Sequence, residues 1–101
     1  MTDVEQKLFD TYIELFCNYL KSVKSYSENT IVNYRKDLLQ FAEFCYKNWN
    51  ISTISKINTD IIRSYLSELR LKRRMSSTLI RKRSALSSFV RFLEQKSFIQ
   101  K

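Results

Sequence analysis

The residues of this chain that could do chemistry gather in its second half. From Arg70 to Arg83 stand Arg70, Lys72, Arg73, Arg74, Arg81, Lys82 and Arg83, with no carboxylate between them. At about 3.6 residues per helical turn, Leu79, Leu86, Phe89, Val90 and Leu93 share one face of a helix that opens near Ser76. The opposite face carries Ser77, Arg81, Ser84, Ser88, Arg91 and Gln95. This outer stripe holds small hydroxyls, an amide and two arginines, and no acid. Small polar side chains let a helix backbone come close to a groove, and arginines among them can fork onto phosphate or onto a guanine edge. A helix built only for solubility more often mixes Glu with Lys for i,i+4 pairing, and an inert polar surface is the alternative. Arg70, Lys72, Arg73 and Arg74 before the helix, with Arg81, Lys82 and Arg83 inside it, suit phosphate contacts, which dominate affinity and make it salt-dependent. Arg83 falls at the edge of the apolar face, so its stem packs while its head reaches solvent.

A second stripe lies earlier: Asn29, Asn33, Lys36, Gln40, Glu43 and Lys47. Thr30 and the amides of that helix's first turn suit a phosphate. Asn and Gln can read adenine edges, although they are more often ordinary polar surface. Catalytic chemistry is not indicated. With 0 histidines there is no imidazole for acid–base work or for a metal, and with 0 glycines there is no glycine-rich phosphate loop. Asp10 and Glu14, one turn apart, read as a solvated face. No catalytic residue, metal ligand, cofactor or small-molecule substrate is expected.

The elements that must carry these stripes are helices. The 101 residues suffice for one hydrophobic core, and 44% hydrophobic with 14% aromatic content fits a packed fold. The absence of both Gly and Pro disfavours a turn-rich β structure. The helical period predicts four helices, over approximately 4–23, 27–48, 59–72 and 77–96. Leu8, Tyr12, Phe16, Tyr19, Leu20 and Val23 form the first apolar stripe. Ile31, Tyr34, Leu38, Phe41, Ala42, Cys45 and Trp49 form the second. Ser27, Asn58 or Thr59, and Ser76 or Ser77 are the expected N-caps, and Ile51 and Ile54 anchor a loop at 48–55. Cys17 and Cys45 lie in apolar patterns and read as buried thiols. Neither a signal peptide nor a membrane-length apolar run is evident, so a cytoplasmic location is the default.

Charge is unevenly placed. Residues 1–50 hold six Lys/Arg and seven Asp/Glu, and residues 51–101 hold twelve and three, which sum to the formal +8. A basic surface confined to part of a domain is the footprint of a polyanion binder.

Taken in order, Phe16-x-x-Tyr19-Leu20, Ser27-Glu28-Asn29-Thr30 and Tyr34-Arg35-x-Asp37-Leu38-x-x-Phe41 resemble the opening of a known domain. Asp60-Ile61 with Tyr65-Leu66-x-x-Leu69 is similar to its third helix. Thr78-x-x-Arg81-x-x-Ser84-Ala85-Leu86-x-Ser88-Phe89-x-Arg91-Phe92-Leu93 is similar to its fourth. That domain is the N-terminal, SAM-like core-binding domain of tyrosine recombinases of the phage-integrase and Xer type. The resemblance spans roughly Val4 to Ile99. It implies an all-α, SAM-like bundle of four to five helices that forms half of a clamp around duplex DNA. Its second and fourth helices would face the major groove of a recombination half-site. By position, Asn29, Thr30 and Asn33 would touch DNA from one helix and Ser77, Thr78, Arg81 and Ser84 from the other. Other recombinase protomers in a synaptic complex would meet its outer helices. The family's catalytic tyrosine and its Arg, Lys and His partners lie in a following domain, and none of the six tyrosines here is a candidate. Tyr12, Tyr19, Tyr34 and Tyr65 read as core. The chain therefore reads as one core-binding domain, a fragment of a longer recombinase. A helical protein-interaction module with a basic surface and a stand-alone DNA-binding regulator are the alternatives.

Overall fold

The computed structural model describes residues 2–72 and 76–99, with side chains from Phe9 onward. Four α-helices follow one another: α1 (Thr2–Ser22), α2 (Glu28–Trp49), α3 (Thr59–Lys72) and α4 (Ser77–Gln95). A single 3₁₀ turn at Ile54–Lys56 breaks the stretch expected to be loop. The architecture is all-helical, with four α-helices, as the helical period predicts.

Local chemistry sets three of the starts. Ser27 accepts from the Thr30 amide at 3.2 Å, Asn58 from the Ile61 amide at 3.0 Å and Ser76 from the Leu79 amide at 3.3 Å. Each side-chain oxygen satisfies one of the amides that a helix leaves without a partner in its first turn. The ends are managed without glycine. Ser25, Asn50 and Ser97 adopt positive φ, at 57°, 53° and 62°, the left-handed geometry that usually selects glycine and that Asn tolerates best among the others.

The core is aromatic and continuous. Phe16 of α1 packs its ring 5.5 Å from Phe89 and 5.3 Å from Phe92 of α4. Phe41 of α2 meets Tyr65 of α3 at 5.1 Å, and Phe44 meets the same ring at 5.0 Å. Ile13, Leu20, Leu38, Cys45, Ile61, Leu86 and Leu93 fill the space between them. Removing a phenylalanine such as Phe89 from this interior would cost about 3–5 kcal/mol. Ile54 is buried, and Ile51 packs partly against the same core. Cys17 and Cys45 are free and buried, and burial raises both thiols above their ordinary range.

Some expected core residues lie elsewhere. Val23 is 65% and Trp49 43% exposed. Val23 follows the last residue of α1 and Trp49 is the last residue of α2, so each continues its stripe at the very end of a helix. Tyr65 is buried, but Tyr12, Tyr19 and Tyr34 pack only partly against the core, with one side of each ring left toward water. After α4 the chain turns back. The Phe98 amide bonds the Leu93 carbonyl at 2.9 Å, and its ring lies 4.8 Å from Tyr12.

Candidate nucleic-acid interface

Two helices of the bundle carry the polar stripes, and a buried ionic knot joins them. The Asp37 carboxylate on α2 is only 1% exposed. It accepts from Nε of Arg81 at 2.8 Å and from a terminal guanidinium nitrogen at 3.0 Å. The Lys82 ammonium donates to the same carboxylate at 3.1 Å and also to Oε1 of Gln40. The fork geometry of the guanidinium matches the carboxylate, and this hydrogen bond pushes the Arg81 pKa above its ordinary value against the opposing effect of burial. No buried side-chain polar atom among the described residues lacks a partner.

Asp37 and Gln40 meet α4 near its start, whereas the chain entering α2 lies beside the far half of α4. Lys24, Tyr26, Ser88, Arg91 and Gln95 line one small cleft there, above Phe16, Leu20 and Phe92. Two segments distant in sequence thus form one surface. Tyr26 stands edge-on to Tyr34 at 6.0 Å. Lys24 and Tyr26 bring to this cleft a basic side chain and an aromatic ring that belong to neither helical stripe.

The expected DNA-contacting residues divide under this geometry. Asn29, Ser77, Ser84 and Arg91 are exposed, and Asn33, Thr78 and Ser88 are half-buried. Between Ser76 and Arg91, α4 holds no acid. Arg81 needs correction as a free arginine on an outer stripe: its head is held by Asp37, although its side chain keeps 34% exposure. Lys82 needs a larger correction. As part of a phosphate-binding cluster it should be solvated, yet its side chain is only 10% exposed and bound to Asp37. Thr30 is also occupied, because its amide and hydroxyl both bond Ser27. Lys72 is exposed and pairs with Glu68 at 3.5 Å. Arg73 and Arg74 lie outside the described residues.

The α2 stripe is less uniform than its spacing suggests. Lys36 shares a shallow depression with Asp10, Val32, Leu39 and Glu43, and Glu43 pairs with Lys47 at 3.3 Å. Within this stripe, Gln40 reaches α4, where it accepts from Lys82. Glu14, expected on a solvated face, bonds Arg35 in a fork at 2.8 and 3.1 Å, tying α1 to α2. That hydrogen bond is the main cause that raises the Arg35 pKa.

Comparison with known proteins agrees with this architecture. The family described as "Phage integrase, N-terminal SAM-like domain" matches residues 13–97. Tyrosine recombinase XerC of Anoxybacillus flavithermus is 33% identical over 87 residues, covering 86% of this chain and 29% of that protein. XerC of Lactobacillus delbrueckii subsp. bulgaricus is 37% identical over 90 residues, 89% of this chain and 30% of that protein. XerC of Listeria welshimeri is 38% identical over 84 residues, 83% and 28% respectively. The chain thus spans about three-tenths of the length of these curated relatives. No solved structure matches it. With the four-helix order, the aromatic core and 85 consecutive residues inside the matched span 13–97, this chain belongs to the phage-integrase N-terminal SAM-like family.

Proposed function

We propose that the chain is the core-binding domain of a site-specific tyrosine recombinase, holding duplex DNA at a recombination half-site with the seam between α2 and α4. The observation that carries this reading is the cleft where Lys24 and Tyr26, before α2, meet Ser88, Arg91 and Gln95 of α4, beside a stretch of α4 free of acid. Arg91 is exposed and has no ion pair among the described residues, so its guanidinium is available to phosphate or to a base edge. Lys24 at the same cleft adds a second cation. Arg81 serves mainly to lock α2 against α4, and its exposed third offers a remaining N–H to the groove. The catalytic steps belong, in this reading, to a following domain, and other protomers meet the outer helices in a synaptic complex. No helix among the described residues is long and apolar enough to cross a membrane.

Fluorescence anisotropy of a labelled duplex, titrated with the chain over a series of salt concentrations, tests the proposal. Binding at low salt should weaken steeply as salt rises, because each neutralised phosphate contributes about 0.9 to the log–log slope. Arg91→Ala should reduce that slope by about one phosphate and leave the melting temperature unchanged. Absence of binding, or binding insensitive to salt, refutes the reading. Self-association with no affinity for duplex would instead support a protein-interaction module.

A further inference from the structure

Apart from Arg91, the described arginines fall into two groups. Arg35 and Arg81 are each forked onto a carboxylate. Arg63 and Arg70 of α3 and Arg83 of α4 are exposed, make no ion pair among the described residues, and line a single groove of about 650 Å³ between the two helices. The groove lies between α3 and α4, apart from the Asp37 knot; Ser84 lines it, and Ser88 borders both it and the cleft beside α2.

The pattern of residues around them leaves the charge uncompensated. On α3, position 67 is one turn from both Arg63 and Arg70, and an acid there would pair with either; it is Ser67. On α4, position 87 stands in the same relation to Arg83, and it is Ser87. Both serines line the groove. Of the nearby acids, Glu68 bridges Lys72, while Glu94, which shares an adjoining depression with Arg83, and Asp60, one turn before Arg63, are in no ion pair among the described residues. Three guanidiniums facing one space with hydroxyls between them form an anion site, because guanidinium forks and serine hydroxyls both donate to phosphate oxygens. Arg63 and Arg70 are separated by about 10 Å along the helix axis, the axial length of about three phosphates on one strand. Ile80, 56% exposed at the rim, offers an apolar surface to the sugar between them.

We infer that the α3–α4 groove is a second, sequence-independent subsite that grips the sugar–phosphate backbone beside the stretch held at the α2–α4 seam. This inference rests on the proposed function and adds Arg63, Arg70 and Arg83 to the residues that bind. It separates the two parts of recognition: the seam carries base preference, and the groove carries charge.

The test compares wild type with the Arg63→Gln/Arg70→Gln/Arg83→Gln triple variant and with the corresponding triple Arg→Lys variant, using the labelled duplex and salt series. The Gln variant should show a log–log slope shallower by about 2.7, three phosphates at about 0.9 each, with its preference between two duplex sequences unchanged. The Lys variant keeps the charge and should keep the slope. Removing like charges should leave the Gln variant's melting temperature equal or higher; if it does not fold, Arg83→Gln alone should lower the slope by about 0.9. A Gln variant with the wild-type slope overturns the inference while leaving the proposed function intact. Wild-type slope combined with lost binding of a poly-glutamate peptide would also overturn it and assign the groove to an acidic protein. A wild type that does not bind duplex refutes the proposed function itself.

Discussion

Replacing Asp37 or Arg81 by alanine should have unequal effects, and the inequality follows from burial. The Asp37 carboxylate is 1% exposed and takes two hydrogen bonds from Arg81, at 2.8 and 3.0 Å, and one from Lys82 at 3.1 Å. Asp37→Ala strands the Lys82 ammonium, 10% exposed, with Gln40 as its remaining acceptor. Stranding one member of a buried ion pair costs about 3–5 kcal/mol. Arg81→Ala leaves the carboxylate still bound to Lys82, and Arg81 itself is one-third exposed. Its loss therefore costs about 1.5–3 kcal/mol, the scale of hydrogen bonds to a charged group. In a domain of this size each kcal/mol moves the melting temperature by about 4–8 °C. Asp37→Ala should lower it by at least about 12 °C and Arg81→Ala by roughly half as much. Adding Lys82→Met to Asp37→Ala should recover most of the loss, because replacing a whole buried ion pair by apolar groups is often neutral or stabilising. Thermal melts followed by circular dichroism decide the matter. An Asp37→Ala melt within about 3 °C of wild type, or an Arg81→Ala loss exceeding it, would refute this account of the knot. A thermally silent Arg81→Ala would return Arg81 to the role of a free arginine on an outer stripe.

Two further outcomes test the fold. Burial pushes the Cys45 thiol up to about 12 from 9.0 and the Tyr65 hydroxyl up to about 12 from 10.0. Both stay protonated in the fold, so their contribution is fully present below pH 9.0 and is lost as pH climbs from there toward about 12. The urea midpoint should fall across that window, and Cys45→Ala should make the fall shallower while the buried Cys17 thiol, also raised from 9.0, still begins it; a flat midpoint would contradict their burial. Asn50→Gly should raise stability by about 0.5–1 kcal/mol, since φ of 53° suits a residue without Cβ. Asn50→Val should lower stability by more than about 1 kcal/mol, and equal melts for the two would exclude a left-handed cap.

Much of the fold was legible because its determinants are local. A cap acts over three residues, so Ser27 could be read from its neighbours alone, and Asn58 and Ser76 each as one of two adjacent candidates between which the structure decides. The apolar stripes repeat within each helix, so Phe16, Phe41, Phe89 and Leu93 were readable as core. Val23 and Trp49 continue their stripes by spacing, but they stand at the very ends of helices and are exposed, and spacing does not report where burial ends. The turn at 24–26 became part of a cleft only because the far half of α4 lies over it, a relation that no local pattern encodes.

Arg81 shows why a candidate site is harder to read than a core. A helical wheel assigns a side chain to a face but says nothing of what stands across from it. Here the partner is Asp37, 44 residues earlier. The signal was nevertheless present, divided between two helices. Asp37 falls among Tyr34, Leu38 and Phe41, and Lys82 falls between Leu79 and Leu86. A charge of either sign on an apolar stripe must neutralise or find its opposite when buried. One acid and one base, each misplaced on a different stripe, therefore imply that those stripes meet. By the same reasoning, an arginine near the seam is easily claimed by the fold, whereas arginines whose i,i+4 neighbours are serine rather than acid stay open to a ligand. The first kind fixes the angle between α2 and α4; the second supplies charge to whatever that angle admits.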